Sequence, residues 1–203
     1  MRVGGIVLCG GRSRRMGVSK ADLPFGPETM LQRVVRLLSE VVEPIVVVAA
    51  PQQALPRLPD QVILARDHRE GRGPLEGLYA GLSALQSRAD AAYLTGCDVP
   101  LLAPGFVRRM IELLGDHEVA VPVEGDFHHP LAAVYRVSVL PHVAELLKAN
   151  QLRPVLLYGR VSTRRVPLEE LKIADPELQT LANLNCPDDY FQALARAGLA
   201  LPK

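Results

Sequence analysis

The 203-residue sequence predicts an α/β protein, a right-handed three-layer α/β/α sandwich built on a mostly parallel central sheet. Three observations predict it. Apolar, β-branched runs alternate with segments of helical periodicity. The runs are continuously apolar, as strands covered on both faces are. The first run leads straight into a loop rich in glycine and cations, at the carboxyl end of a strand, where open α/β sheets bind their ligands.

Val3–Leu8 reads as the first strand. Thr29 and Gln32 have the spacing of a capping box ahead of Leu31, Val34, Val35 and Leu38, which recur at helical intervals, so a crossover helix follows. Pro44–Ala50 and Gln61–Leu64 read as the next strands. Leu75, Leu78, Tyr79, Leu82 and Leu85 then repeat with helical spacing behind Pro74, a residue suited to a first turn. Gly77 and Gly81 inside that helix each cost about 1 kcal/mol against alanine, which implies a close approach to the sheet or to a ligand. Ala91–Thr95 and Glu118–Pro122 read as strands, with a helix from Pro104 to about Leu114 between them. Pro130–Arg136 follows as a strand, Val139–Ala149 as a helix and Ser162–Val166 as a short strand. Pro187 opens a final helix behind Asn183-Leu184-Asn185-Cys186, and Pro167 to Thr180 yields no definite element. No linker, repeat or low-complexity segment interrupts this pattern, so residues 1–203 are expected to form one domain, the second half supplying one side of a cleft.

The composition is that of a soluble globular chain, 48% hydrophobic and 22% charged. Twenty-three Lys and Arg against 22 Asp and Glu leave a formal charge of +1, so no global field recruits nucleic acid or an anionic membrane. The apolar stretches fall short of the roughly 20 residues a membrane span needs, and the N-terminal residues carry no signal-peptide pattern, so the expected location is cytoplasmic. Cys9, Cys97 and Cys186 have neither zinc spacing nor a C-x-x-C pair; they are expected to be reduced and semi-buried.

Leu8-Cys9-Gly10-Gly11-Arg12-Ser13-Arg14-Arg15-Met16-Gly17-Val18-Ser19-Lys20 reads as a polyphosphate cradle. Backbone N–H groups at Gly10 and Gly11 can approach an anion closely, and the cations add charge-assisted hydrogen bonds. A nucleoside triphosphate is the expected ligand; the alternative is a solvated Arg-rich turn. A Walker A loop is excluded, because Gly17 is followed by Val18 and Lys20 comes later still. Gly71-Arg72-Gly73-Pro74-Leu75-Glu76-Gly77 fails as a dinucleotide fingerprint, with its last glycine one place late and a proline inside. Asp98, in Gly96-Cys97-Asp98-Val99-Pro100, stands just past a strand end, where a carboxylate can anchor Mg²⁺ that phosphate oxygens and water complete. Its other reading is a turn or cap residue.

Taken together, these residues resemble the molybdenum cofactor guanylyltransferase family, the MobA-like nucleotidyltransferases. The matching motifs are Leu8-Cys9-Gly10-Gly11 with Arg15-Met16-Gly17 and Lys20, then Gly73-Pro74-Leu75-Glu76-Gly77, Cys97-Asp98-Val99-Pro100, and Asn183-Leu184-Asn185-Cys186-Pro187. The resemblance implies a Rossmann-like fold of the nucleotide-diphospho-sugar transferase type. It also implies transfer of GMP from Mg-GTP to the terminal phosphate of molybdopterin or Mo-molybdopterin, with release of pyrophosphate. By the same resemblance, residues 1–122 form the nucleotide-binding half and 123–203 the acceptor-binding half. Leu8, Cys9, Gly10, Gly11 and Lys20 would hold the nucleotide with Asp67, Asp98 and the base-side residues Gly73, Pro74, Leu75 and Gly77. Arg15, Lys20 and Asp98 would be catalytic, and Asp98 would also be the Mg²⁺ ligand. His129, Asn183 and Asn185 would face the acceptor, and transient protein partners in molybdenum cofactor biosynthesis are implied.

Three departures from the family pattern concern the base contacts: Cys9 where alanine is commoner, Glu76 in place of a small residue, and Val48-Ala49-Ala50-Pro51 without an asparagine some relatives use. His129 also reads as a solvated loop residue, and Asn185 as a cap of the helix begun by Pro187. Asp188 and Asp189 need no role beyond that helix's dipole. Cys9 has two readings: a thiolate favoured by the arginines beside it, or, like Cys97, a small buried hydrophobe that no reagent reaches. A cytidylyltransferase shares the cradle, the lysine and the aspartate, and a non-catalytic nucleotide sensor or adaptor is the reading from another class. The absence of a convincing Ser-His-Asp or Cys-His arrangement fits a transfer in which an acceptor phosphate is already nucleophilic.

Overall fold

A computed structural model describes residues 1–10, 19–67 and 71–200. Its centre is an eight-stranded sheet. The strands are β1 (Val3–Leu8), β4 (Ile45–Ala49), β5 (Ile63–Arg66), β6 (Ala91–Gly96), β7 (Val119–Glu124), β8 (Phe127–His128), β9 (Ala132–Arg136) and β10 (Thr163–Pro167). Their order is β10-β7-β9-β6-β1-β4-β5, with β8 paired to β7. Neighbours run parallel except where β9 lies antiparallel between β6 and β7, and where β8 returns along β7. A separate hairpin joins β2 (Pro24–Phe25) to β3 (Glu28–Thr29).

The helices are α1 (Met30–Ser39), α2 (Pro74–Leu85), α3 (Pro104–Leu114), α4 (Leu140–Lys148) and α5 (Pro187–Arg196). Successive strand residues point to opposite faces. Val7, Val47 and Ala49 accordingly pack with Leu31, Val34, Phe106 and Met110 of α1 and α3. Ile6, Val46 and Val48 pack with Leu75, Leu78, Leu82, Val143 and Leu146 of α2 and α4. Burial on both faces is why these strands read as unbroken apolar runs. A third cluster of Phe25, Met30, Leu184, Tyr190 and Leu194 seats α5 on the β2–β3 hairpin. No helix among the described residues is long and apolar enough to cross a membrane.

The Thr29–Gln32 capping box forms: Gln32 N donates to Thr29 Oγ1 at 3.3 Å, and Thr29 N donates to Gln32 Oε1 at 2.8 Å. The α2 glycines answer to the sheet. A Cβ on Gly77 would lie 2.8 Å from the Leu8 side chain, and one on Gly81 2.6 Å from Ile6, so α2 lies directly on β1.

Two expectations shift. The strand expected at Gln61–Leu64 begins at Ile63, because Val62 N donates to Pro59 O at 3.0 Å and closes a turn over the preceding residues. The stretch from Pro167 to Thr180 folds into short 3-10 turns around buried Asp175, whose oxygens accept Gln179 N at 3.0 Å and Thr180 N at 2.9 Å. Thr180 Oγ1 in turn accepts Ala103 N at 3.0 Å, tying the segment to the start of α3.

Candidate functional site

Parallel pairing puts Leu8 of β1 opposite Gly96 of β6, and Cys97 N continues the ladder by donating to Leu8 O at 2.9 Å. The chain therefore leaves both strands side by side, Cys9-Gly10 beside Cys97-Asp98. Lys20, in a 3-10 turn over Lys20–Asp22, reaches this edge and places Nζ 2.9 Å from Asp98 Oδ2. Each side chain of the pair is about a fifth exposed, 21% for Lys20 and 20% for Asp98. A charge pair that is partly desolvated yet still open to solvent can exchange its partners for a ligand's charges.

Asp67 follows β5 and is held by its N–H to Ala49 O at 3.0 Å. A Cβ on Gly10 would stand 3.1 Å from Asp67 Oδ2, so the carboxylate lies against Gly10. Gly11 and Arg15 lie outside the described residues, as does the rest of the loop through Val18. Gly73 caps α2 with φ 70°, and Pro74 is the first helical residue. The Leu8–Gly77 contact brings this first turn over the end of β1. Leu75 is fully buried in the core between the sheet, α2 and α4. Leu8 is partly buried against the same core.

Leu184 N donates to Asp98 O at 3.0 Å, which seats the exposed Asn183 and Asn185 on the aspartate turn. Asn185 is not the cap of α5. Cys186 occupies that position, and Asp189 accepts both Asn185 N at 2.8 Å and Cys186 N at 3.0 Å. Asp189 thus does more than answer the helix dipole. These hydrogen bonds hold its carboxyl below the usual range.

His129 is half-buried on the β8–β9 connection, at the carboxyl edge of β7, its N–H donated to Pro122 O at 2.9 Å. Phe127 packs edge-on against its ring at 4.8 Å, and burial lowers its pKa. This differs from a solvated loop histidine.

Cys9 and Cys97 are buried and only Cys186 is intermediate. Burial pushes the Cys9 thiol up to about 12, outweighing the opposing field of Arg66, and raises Cys97 well above the ordinary thiol value. Cys9 and Cys97 are therefore the buried groups of the second reading, desolvation at Cys9 exceeding the field of Arg66.

Sequence reasoning missed the brace beneath the glycine turn. Gln53 Nε2 donates to Cys9 O at 2.9 Å, and Gln53 Oε1 accepts Ala50 N at 3.2 Å. Arg66 Nη1 grips the carbonyls of Ala50 and Gln53 at 2.8 and 2.7 Å. Nothing in the sequence around Gln53 marks it; the only signal is Arg66, a cation ending an apolar strand.

A covered, mostly parallel sheet with Gly10 and a lysine–aspartate pair at adjacent strand ends has its polar groups where open α/β folds bind ligands. Residues 5–164 match the model of the MobA-like NTP transferase domain. The chain belongs to that family and is a nucleotidyltransferase. It is 34% identical over 194 residues to a probable molybdenum cofactor guanylyltransferase of Pelotomaculum thermopropionicum, covering 95% of this chain and 92% of the relative. Among solved structures, it is similar to molybdopterin-guanine dinucleotide biosynthesis protein A from Archaeoglobus fulgidus, with TM-score 0.78 and 21% identity over 98% of this chain and 99% of that one. It is also similar to 2-C-methyl-D-erythritol 4-phosphate cytidylyltransferase from Thermus thermophilus, with TM-score 0.69 and 14% identity over 96% and 98%. At these identities the structures speak for the fold.

Proposed function

We propose that this chain is a molybdenum cofactor guanylyltransferase, joining the GMP part of GTP to the terminal phosphate of molybdopterin or Mo-molybdopterin and releasing pyrophosphate. The observation that carries the reading is the Lys20–Asp98 pair, 2.9 Å apart at the strand ends beside Gly10. A triphosphate laid over Gly10 and Gly11 would bring its phosphates to Lys20 and Arg15, with Asp67 contacting the nucleotide and Gly73–Gly77 on the base side. Residues 1–122 would then hold the nucleotide and 123–203 the acceptor, through Asn183 and Asn185 on the Asp98 turn and His129 further along the edge. Transient protein partners would receive the product, and free substrates of this kind suit the cytoplasm.

Asp98 suits Mg²⁺. Among the described residues no group of three or more His, Cys, Asp or Glu side chains converges, so a cation held by Asp98 would take most of its ligands from phosphate oxygens and water. Bound there, Mg²⁺ would neutralise charge at the α-phosphate and on the leaving pyrophosphate. Lys20 and Arg15 contribute by meeting charge that develops between the α- and β-phosphates, and the glycine turn fixes the triphosphate for in-line displacement. The acceptor phosphate is itself the nucleophile, so no side chain need remove a proton.

The test measures pyrophosphate release with molybdopterin and each of GTP, CTP, ATP and UTP. GTP-selective release dependent on the acceptor supports the reading. Preference for CTP would make the protein a cytidylyltransferase, and nucleotide binding without release would make it a sensor.

A further inference from the structure

Arg72 lies between two glycines in left-handed backbone conformations, Gly71 at φ 83° and Gly73 at φ 70°. A Cβ at either position would meet nothing within 4 Å, so conformation and not space is what favours glycine there. A cation on such a turn would ordinarily extend into solvent. Here the guanidinium turns inward. Nη1 stands 3.1 Å from Oε2 of Glu76 on α2, and Nη2 donates to the carbonyl of Leu147 in the last turn of α4. The Arg72 side chain is 17% exposed and that of Glu76 5%. Leu147 O also accepts Asn150 N at 3.1 Å just past the helix, and carbonyls of a last helical turn carry the negative end of the helix dipole, so a guanidinium is well placed as its second donor. Gly73 gives α2 no side-chain cap, and beside the apolar packing of α2 on α4 this strut adds a hydrogen-bonded link from the turn itself to α4.

We propose that Arg72 and Glu76 are positioning residues for the nucleotide base: their strut to α4 holds the Gly73–Pro74 turn and the first amides of α2 in place over the end of β1. The inference rests on Gly73–Gly77 being the base side of the site. In this role neither side chain need touch the nucleotide, since both are engaged with each other and, through Arg72, with α4. Stability alone is a weak reason for such a pair, since apolar residues of similar volume often replace a buried ion pair without loss. What apolar residues cannot supply is a directional link from a strained glycine turn to one particular carbonyl.

The test combines amide exchange of residues 71–77 without nucleotide, steady-state kinetics with GTP, and thermal melting. Arg72→Met should speed exchange of the turn and raise KM for GTP about tenfold while kcat at saturation stays within about twofold, the split expected when the bound geometry must be organised at each encounter. Glu76→Gln, which keeps an acceptor oxygen for Arg72, should restore most of the affinity, and Arg72→Lys, which reaches one acceptor but not both, should fall between. Arg72→Met combined with Glu76→Ala should be no worse than Arg72→Met alone, because one strut is lost in both. A lower melting temperature with wild-type KM and wild-type exchange would reduce the pair to a structural role and overturn the proposal, as would additive effects in the double variant. If Arg72→Met fails to fold, wild-type KM together with wild-type exchange in Arg72→Lys is the overturning result. A wild-type protein that neither binds nor uses GTP would sink the base-side reading instead, while the exchange data would still report whether the strut holds the turn.

Discussion

Replacing Asp98 by asparagine removes one charge and almost no volume, so the change isolates electrostatics. At 2.9 Å, Coulomb's law gives the Lys20–Asp98 pair about 6 kcal/mol of gross attraction at an effective dielectric of 20, and about 1.4 kcal/mol in water. Both side chains are about a fifth exposed, at 21% and 20%, and the cost of desolvating them offsets most of that. A neutral amide still offers Lys20 an acceptor, so the net loss of stability should be about 1 kcal/mol, a fall in Tm of about 2–4 °C for a chain of this length. Turnover should suffer far more. A preorganised charge acting on a phosphoryl transition state is worth about 10²–10³ in kcat, and Asp98→Asn should lose at least that while KM for GTP moves only a few-fold. The assay is pyrophosphate release with GTP and molybdopterin at saturating magnesium, with Tm measured in parallel. Near-normal kcat would remove Asp98 as metal anchor, and a collapse of Tm would assign the lost activity to unfolding.

Lys20→Ala should likewise act mainly on kcat, and its effect should not add to that of Asp98→Asn, because each residue is the other's partner; a rise in KM alone would reassign Lys20 to ground-state binding. With burial raising Cys9 to about 12 and Cys97 well above the ordinary thiol value, iodoacetamide should label only Cys186 in the native protein near neutral pH, and rapid modification of Cys9, read by peptide mapping, would contradict its burial. Burial lowers the His129 pKa in the fold, so the unfolded chain binds a proton there first as the pH drops. Stability should accordingly fall from the unfolded value of about 6.5 downward and be unaffected above it. Urea midpoints at pH 7.5 and 5 should converge less steeply for His129→Gln than for wild type, and equal slopes would show that His129 protonates freely in the fold.

What the sequence made legible follows from the range over which each signal acts. The Thr29–Gln32 box and the helical stripe of α2 are local, each written within a few residues, and both form as read. The three-layer fold was legible because burial on two faces leaves a compositional mark on every strand of the sheet's centre. The place of β9, antiparallel between β6 and β7, left none: a strand's periodicity says which faces are covered and nothing about which neighbour it joins. Asp98 and Lys20 could be singled out because each sits beside a strand-end motif, although 78 residues separate them. Gln53, Arg66, Arg72 and Asp175 could not, since each is an ordinary polar residue until the fold brings a backbone carbonyl or amide to it. Cys9 marks the limit from the other side. Counting neighbouring arginines along the chain predicts an activated thiol, whereas its Sγ points inward to Val48 O at 3.2 Å, and the sign of its shift is set by the core. Charge read along a sequence is thus a guide only for side chains whose direction is known, and in a sheet that direction alternates with every residue. Lys20, which reaches Asp98 from its turn, meets that condition.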